Sequence, residues 1–95
     1  MADSKRNYIY IKWRNNHPEE PVHLYSELDG ERFEVRKVEI FSDGRRGFAD
    51  GSEDFGGTRL GEMAVPPMSE LKSDPQFESK VISAEEFQRQ WLKRR

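Results

Sequence analysis

Four residues carry the vocabulary of acid–base catalysis: His23, Glu27, Glu34 and Arg36. An imidazole, two carboxylates and a guanidinium can move a proton and hold a developing negative charge, the combination a small hydrolase or nuclease needs. All four fall on two consecutive strand-like segments, Val22–Leu28 and Arg32–Phe41, joined by Asp29-Gly30. Flanked by alternating residues, that dipeptide predicts a two-residue type I′ hairpin, which requires positive φ at both central positions. The resulting register sets His23 opposite Arg36, Tyr25 opposite Glu34 and Glu27 opposite Arg32, all on one polar face. Leu24 opposite Val35 and Ser26 opposite Phe33 form the other face. Cross-strand pairs on a solvated face have the same composition, each contributing a few tenths of a kcal/mol. Catalysis would also demand perturbed pKa values. The four are therefore the first residues to test for an enzyme, and the balance favours a chain without catalytic activity.

Other chemistries fare worse. With no cysteine, disulfides, thiolate catalysis and cysteine-ligated zinc are excluded. Serines are present, but only His17 and His23 could serve as their base, and no Gly-x-Ser-x-Gly elbow occurs. His17 and His23 with Glu19 and Glu20 match no zinc spacing; His17, ahead of Pro18, reads as a turn residue. Asp50–Gly57 resembles a calcium loop but has Phe55 where glycine is needed and Gly61 at the twelfth position. Gly56-Gly57-Thr58 lacks the lysine and spacing of a phosphate-binding loop, and its glycines read as positive-φ positions. No metal and no cofactor is expected.

Charge bounds the partners. Sixteen Lys and Arg against eighteen Asp and Glu give a formal net charge of −2. Tyr8, Tyr10, Trp13, Tyr25 and Phe48 on strands could stack single-stranded bases, with Arg36, Lys37, Arg45 and Arg46 meeting phosphates. The acidic balance opposes this, because nucleic-acid affinity rests on a basic surface, and so does the core's need for aromatics. An acidic domain with an open sheet suits a basic protein partner instead, such as a nuclease toxin held by its inhibitor. The expectation is a non-catalytic protein-binding or regulatory domain, of which an immunity-type partner is one form. Weak binding to single-stranded nucleic acid remains an alternative. No segment reads as a signal peptide or membrane span, so a cytoplasmic location is expected.

The elements that must position these residues make one small α+β domain. Residues 1–7 read as a tail with nothing to bury, and 8–95 as the domain. Tyr8–Trp13, rich in β-branched and aromatic residues, predicts a central strand partly covered on both sides. After the two hairpin strands, Ser42-Asp43-Gly44-Arg45 turns into a strand at Arg46–Ala49, and Thr58–Leu60 offers a short fifth. Within Arg32–Phe41, Phe33 and Val35 differ in parity from Val38 and Ile40. Either a bulge near Arg36–Lys37 restores one apolar face, or the strand is buried on different faces at its two ends. Met68–Ser73 predicts one or two helical turns. Ser83 with Glu86 forms a capping box and Ile82 with Phe87 a hydrophobic staple, opening a helix over 84–93. Ala84, Phe87, Gln88 and Trp91 make its inward stripe. The sum is a four- to five-stranded, mostly antiparallel meander with a C-terminal helix packed on one face.

Several strings also carry a likeness: Glu20-Pro21-Val22, Tyr25–Asp29, Glu34–Glu39, Gly57–Gly61 and Ile82–Phe87, with Trp13, His17 and Trp91. In these the chain resembles, from Tyr8 to Trp91, a family of small bacterial proteins classed as a domain of unknown function. The resemblance implies a self-standing bacterial domain and brings no activity, cofactor or site residue with it.

Overall fold

The computed structural model describes residues 5–95. Six strands form one antiparallel sheet, ordered β5-β4-β3-β2-β1-β6. They are β1 (Asn7–Trp13), β2 (Pro21–Leu28), β3 (Glu34–Phe41), β4 (Arg46–Ala49), β5 (Asp54–Phe55) and β6 (Phe77–Ile82). Helix α1 (Met68–Ser73) precedes β6 and α2 (Ala84–Leu92) follows it. The α+β class, the meander and the C-terminal helix all stand. Two elements differ from expectation. The fifth strand is Asp54–Phe55, and Thr58–Leu60 is irregular; the chain then crosses to the far side of the sheet, where β6 pairs with β1. Of the expected tail, residues 1–4 lie outside the described residues, and Asn7 opens β1 opposite Leu28.

The β2–β3 hairpin corrects the register. Asp29 to Arg32 form the turn: Arg32 N–H donates to the Asp29 carbonyl (2.9 Å), and Asp29 N–H donates to the Phe33 carbonyl (2.9 Å). Positive φ falls on Arg32 (69°), and Gly30 keeps a negative φ, so the turn is not type I′. Asp29 Oδ1 accepts the Glu31 and Phe33 amides, doing for the loop what a two-residue turn would have done through backbone alone. Glu27 consequently faces Arg36, Tyr25 faces Val38 and His23 faces Ile40. A bulge lies one residue before the expected place: Leu28 pairs with Glu34 and Glu27 with Arg36, leaving Val35 extra. A second irregularity falls between Pro21 and His23.

Strand alternation then builds two cores. On one face Val38, Phe48 and Ile82 receive Phe87 and Trp91 of α2, with Tyr8, Tyr10 and Tyr25 packed around them. Phe87 is fully buried and Trp91 8% exposed, so the helix docks as expected. Ser83 Oγ accepts the Glu86 amide (3.0 Å), the N-cap half of the expected capping box. Ala84 and Gln88, however, are exposed; the inward stripe is Phe87 and Trp91, and Gln90 reaches Arg46 (3.1 Å). On the other face Ile9, Leu28 and Leu71 of α1 form a second core with Ile11, Val65, Met68 and Phe77. The 58–67 segment is pinned there by Arg32, whose guanidinium donates to the carbonyls of Val65 (2.9 Å) and Pro66 (2.8 Å).

Candidate binding groove

The four residues singled out for acid–base chemistry do not converge. His23, Glu27 and Arg36 share the α2 face, but His23 and Glu27 are four residues apart on one strand, a span of about 13 Å. Glu27 is 6% exposed and forms an ion pair with Arg36. It also meets Arg6 (3.4 Å) and accepts from the Tyr8 hydroxyl (3.3 Å). The Arg36 guanidinium lies 4.9 Å from the Phe87 ring centre and 5.0 Å from that of Trp91. That packing ties the ion pair to the helix and leaves its charges mutually neutralised. His23 shares a 2.7 Å hydrogen bond with the Tyr10 hydroxyl. Burial, reinforced by Lys12, lowers the His23 pKa below the ordinary histidine value, and burial raises that of Tyr10. Both partners are thus held neutral. The Tyr10 ring packs on both Tyr25 and His23, with ring centres 4.9 and 5.9 Å apart.

Glu34 corrects the predicted polar face, because the bulge turns it to the opposite side of the sheet. There its Oε1 accepts the Gly61 amide (2.6 Å) and meets Lys37 Nζ at 3.2 Å. Lys37 also approaches Glu39 (3.6 Å) and donates to the Arg59 carbonyl (3.2 Å). The buried Glu39 accepts from the Thr58 hydroxyl (2.7 Å). Thr58 comes this close because Gly47, opposite Glu39 on β4, has no side chain in the way. Its neighbour Gly56 takes φ 72° against the Arg46 carbonyl, and Gly57 takes φ 83°, as expected of loop glycines re-entering the sheet.

Lys37, Glu39, Gly56, Gly57 and Arg59 line an open groove of about 720 Å³. Leu24, Lys37, Glu39 and Phe41 form its base; the Pro18–Pro21 turn and Trp13 stand on one side, Gly56, Gly57 and Arg59 on the other. The turn is set by His17, whose amide donates to Asn15 Oδ1 (2.9 Å) and whose carbonyl accepts from Glu20 N–H (3.0 Å). Arg45 at the rim is held by Asp43 (2.7 Å) and lies 4.8 Å from the Phe41 ring centre. The Arg45 amide and guanidinium hold the Asp43 carboxyl below its usual range. The lining itself carries three carboxylates, Glu19, Glu20 and Glu39, and three cations, Lys37, Arg45 and Arg59. Glu34 and Asp43, just outside it, pair with Lys37 and Arg45, so with them counted carboxylates exceed cations by five to three.

The other signals resolve into local structure. Asp50 Oδ1 accepts from the Ser52 amide (2.8 Å), the Ser52 hydroxyl (3.1 Å) and the Glu53 amide (2.9 Å), which closes the acidic loop on itself. Those amides depress the Asp50 pKa. Among the described residues, no three His, Asp or Glu side chains gather as metal ligands would, and no helix is long and apolar enough to cross a membrane. Sequence reasoning missed the groove because its floor depends on the bulge and its wall on a loop. The one available signal was Gly47 opposite a strand carboxylate, a glycine inside a strand that marks close approach of other backbone.

No curated protein and no solved structure matches the chain. A family model, described as a domain of unknown function (DUF6881), matches residues 7–95. That covers the whole sheet, both helices and the groove, and the chain belongs to this family of domains of unknown function.

Proposed function

We propose that the chain is a non-catalytic protein-binding domain whose groove receives an extended, basic segment of a partner protein. The observation that carries this reading is the groove itself: Leu24 and Phe41 in its base beside Trp13, Glu19 and Glu20 on its wall, and Glu34 and Asp43 just outside it engaging Lys37 and Arg45. An apolar anchor gives such a segment affinity, and opposite charge gives it orientation and speed of encounter. The dispersal of His23, Glu27, Glu34 and Arg36 weighs against an enzyme: His23 is engaged with Tyr10, Glu34 with Lys37, and Glu27 and Arg36 neutralise each other. A basic partner also fits a regulatory or immunity-type role in a bacterial cytoplasm, where a small acidic domain would mask a cationic surface.

The test is affinity capture from nuclease-treated lysate of the source cells with three baits. They are the wild type, Glu19→Lys with Glu20→Lys, and Lys12→Glu on the opposite face. The expected result is a basic protein retained by the wild type and by Lys12→Glu and lost by the double variant. Equal retention by all three baits, or retention seen only in a parallel lysate without nuclease, contradicts the groove reading.

A further inference from the structure

Strand β6 is an edge of the sheet. The Arg14 amide donates to the Gln76 carbonyl (2.8 Å), in register with Trp13 opposite Phe77. Residues of an antiparallel strand turn their backbone groups alternately to one neighbour and the other. Even-numbered residues of β6 therefore bond to β1, and Phe77, Ser79 and Val81 direct theirs outward. Contacts from nearby residues agree: the Phe77 amide turns back to the Asp74 carbonyl (3.1 Å), and Lys72 Nζ reaches the Ser79 carbonyl (3.2 Å). Among the described residues no strand covers this edge, and Val81 is 68% exposed.

We propose that two copies of the chain pair antiparallel through β6, about a twofold axis at Ser79, joining their sheets into one. The sequence of the edge is complementary to itself only in this register. Ser79 meets Ser79 of the second copy, Glu78, which also pairs with Arg14 of its own chain, meets Lys80, and Phe77 meets Val81. Each opposite-charge pair lies on the α2 face, and each apolar pair lies on the α1 face, where Phe77 already packs on Trp13. Cross-strand pairs of these kinds stabilise a sheet, and like charges directly opposite destabilise it. The two neighbouring registers fail on that ground: one sets Glu78 against Glu78, the other Lys80 against Lys80. The outward Ser79 groups exchange two hydrogen bonds across the axis, and each Val81 amide reaches a Phe77 carbonyl. Lys72 does not block the pairing at Ser79, because a carbonyl oxygen accepts twice; at Phe77 the amide stays with the Asp74 carbonyl, so only the Phe77 carbonyl is offered to the second copy. An isologous contact of this kind closes as a dimer and does not propagate. It leaves the groove, which lies over β2–β4, open in both copies.

Analytical ultracentrifugation over a concentration series decides it. The wild type should approach twice the 11.2 kDa chain mass. Ser79→Pro removes an outward amide that the single chain leaves unbonded, so it should keep the fold and sediment as a monomer. Lys80→Glu alone and Glu78→Lys alone should each weaken the dimer by about tenfold. The double swap should restore it, as should mixing the two single variants. A wild type that stays at 11.2 kDa up to millimolar concentration overturns the proposal. So does a dimer that survives Ser79→Pro, or single swaps that the double swap fails to rescue.

Discussion

Replacing Gly47 with alanine should destabilise the domain severely and through one identifiable neighbour. A Cβ at Gly47 would overlap Thr58 Oγ1, with Thr58 Cβ at 3.1 Å and the Phe55 carbonyl oxygen at 3.0 Å. The threonine cannot swing into solvent, being 1% exposed, and the Phe55 oxygen belongs to β5 backbone. Forcing Thr58 away breaks its hydrogen bond to Glu39, a carboxylate only 9% exposed. A hydrogen bond to a charged group contributes about 1.5–3 kcal/mol, and overpacking costs about 1–3 kcal/mol. The expected loss is therefore about 3 kcal/mol or more, a fall of at least about 12 °C in Tm for a domain of this size. Urea denaturation of Gly47→Ala, Thr58→Ala and the double variant forms a cycle that isolates the contact. Because truncating Thr58 removes the clashing oxygen, the double variant should be at least about 1 kcal/mol more stable than the sum of the two single effects. Additive losses, or a Gly47→Ala protein within about 0.5 kcal/mol of wild type, would refute the claim that this glycine exists to admit Thr58.

Two further expectations come from the hairpin and from His23. Gly30→Val should change stability by less than about 0.5 kcal/mol in thermal melts, because Gly30 does not need positive φ; a large loss would restore the two-residue turn and the register that goes with it. The His23 pKa is lowered in the fold, so the unfolded chain takes up the proton first as pH falls. Its contribution is complete above about pH 6.5, the ordinary value, and is lost as pH falls through the lower folded value. His23→Gln should flatten that part of the pH–stability curve, and imidazole NMR should place His23 below the ordinary value; titration at or above it would contradict the burial argument.

Local signals were legible in the sequence wherever one residue's backbone preference decided the outcome. The Ser83 cap, the Ile82–Phe87 staple, the Gly44 turn and the positive φ of Gly56 and Gly57 all needed no partner from far along the chain. Register was harder. Asp29-Gly30 read as a two-residue turn, but the Asp29 carboxylate captured two amides and moved positive φ to Arg32, an arginine made tolerable there by its clamp on Val65 and Pro66. With the Val35 bulge this changed every partner across β2 and β3 and carried Glu34 to the other face. Strand β6 hid between Pro75 and the Ser83 cap as Phe-Glu-Ser-Lys-Val-Ile, whose alternation is broken by adjacent Val81 and Ile82. Its pairing with β1 spans most of the chain, and no short-range rule reaches that far. The groove inherits both difficulties, since its base needs the bulge and its far wall needs Thr58 seated beside Gly47.

The most direct test of the binding claim needs no cellular partner. A display library of random extended peptides is selected on the wild-type domain, and the enriched peptides are titrated against Glu19→Lys with Glu20→Lys. Enriched peptides should carry a Lys or Arg beside an apolar residue and bind about tenfold or more weaker to the double variant, in line with charged contacts at an interface. Binding should shift the amides of Leu24, Gly57 and Arg59. Failure to enrich any sequence, or shifts confined to Tyr10, His23 and Tyr25 on the opposite face, would contradict the binding claim.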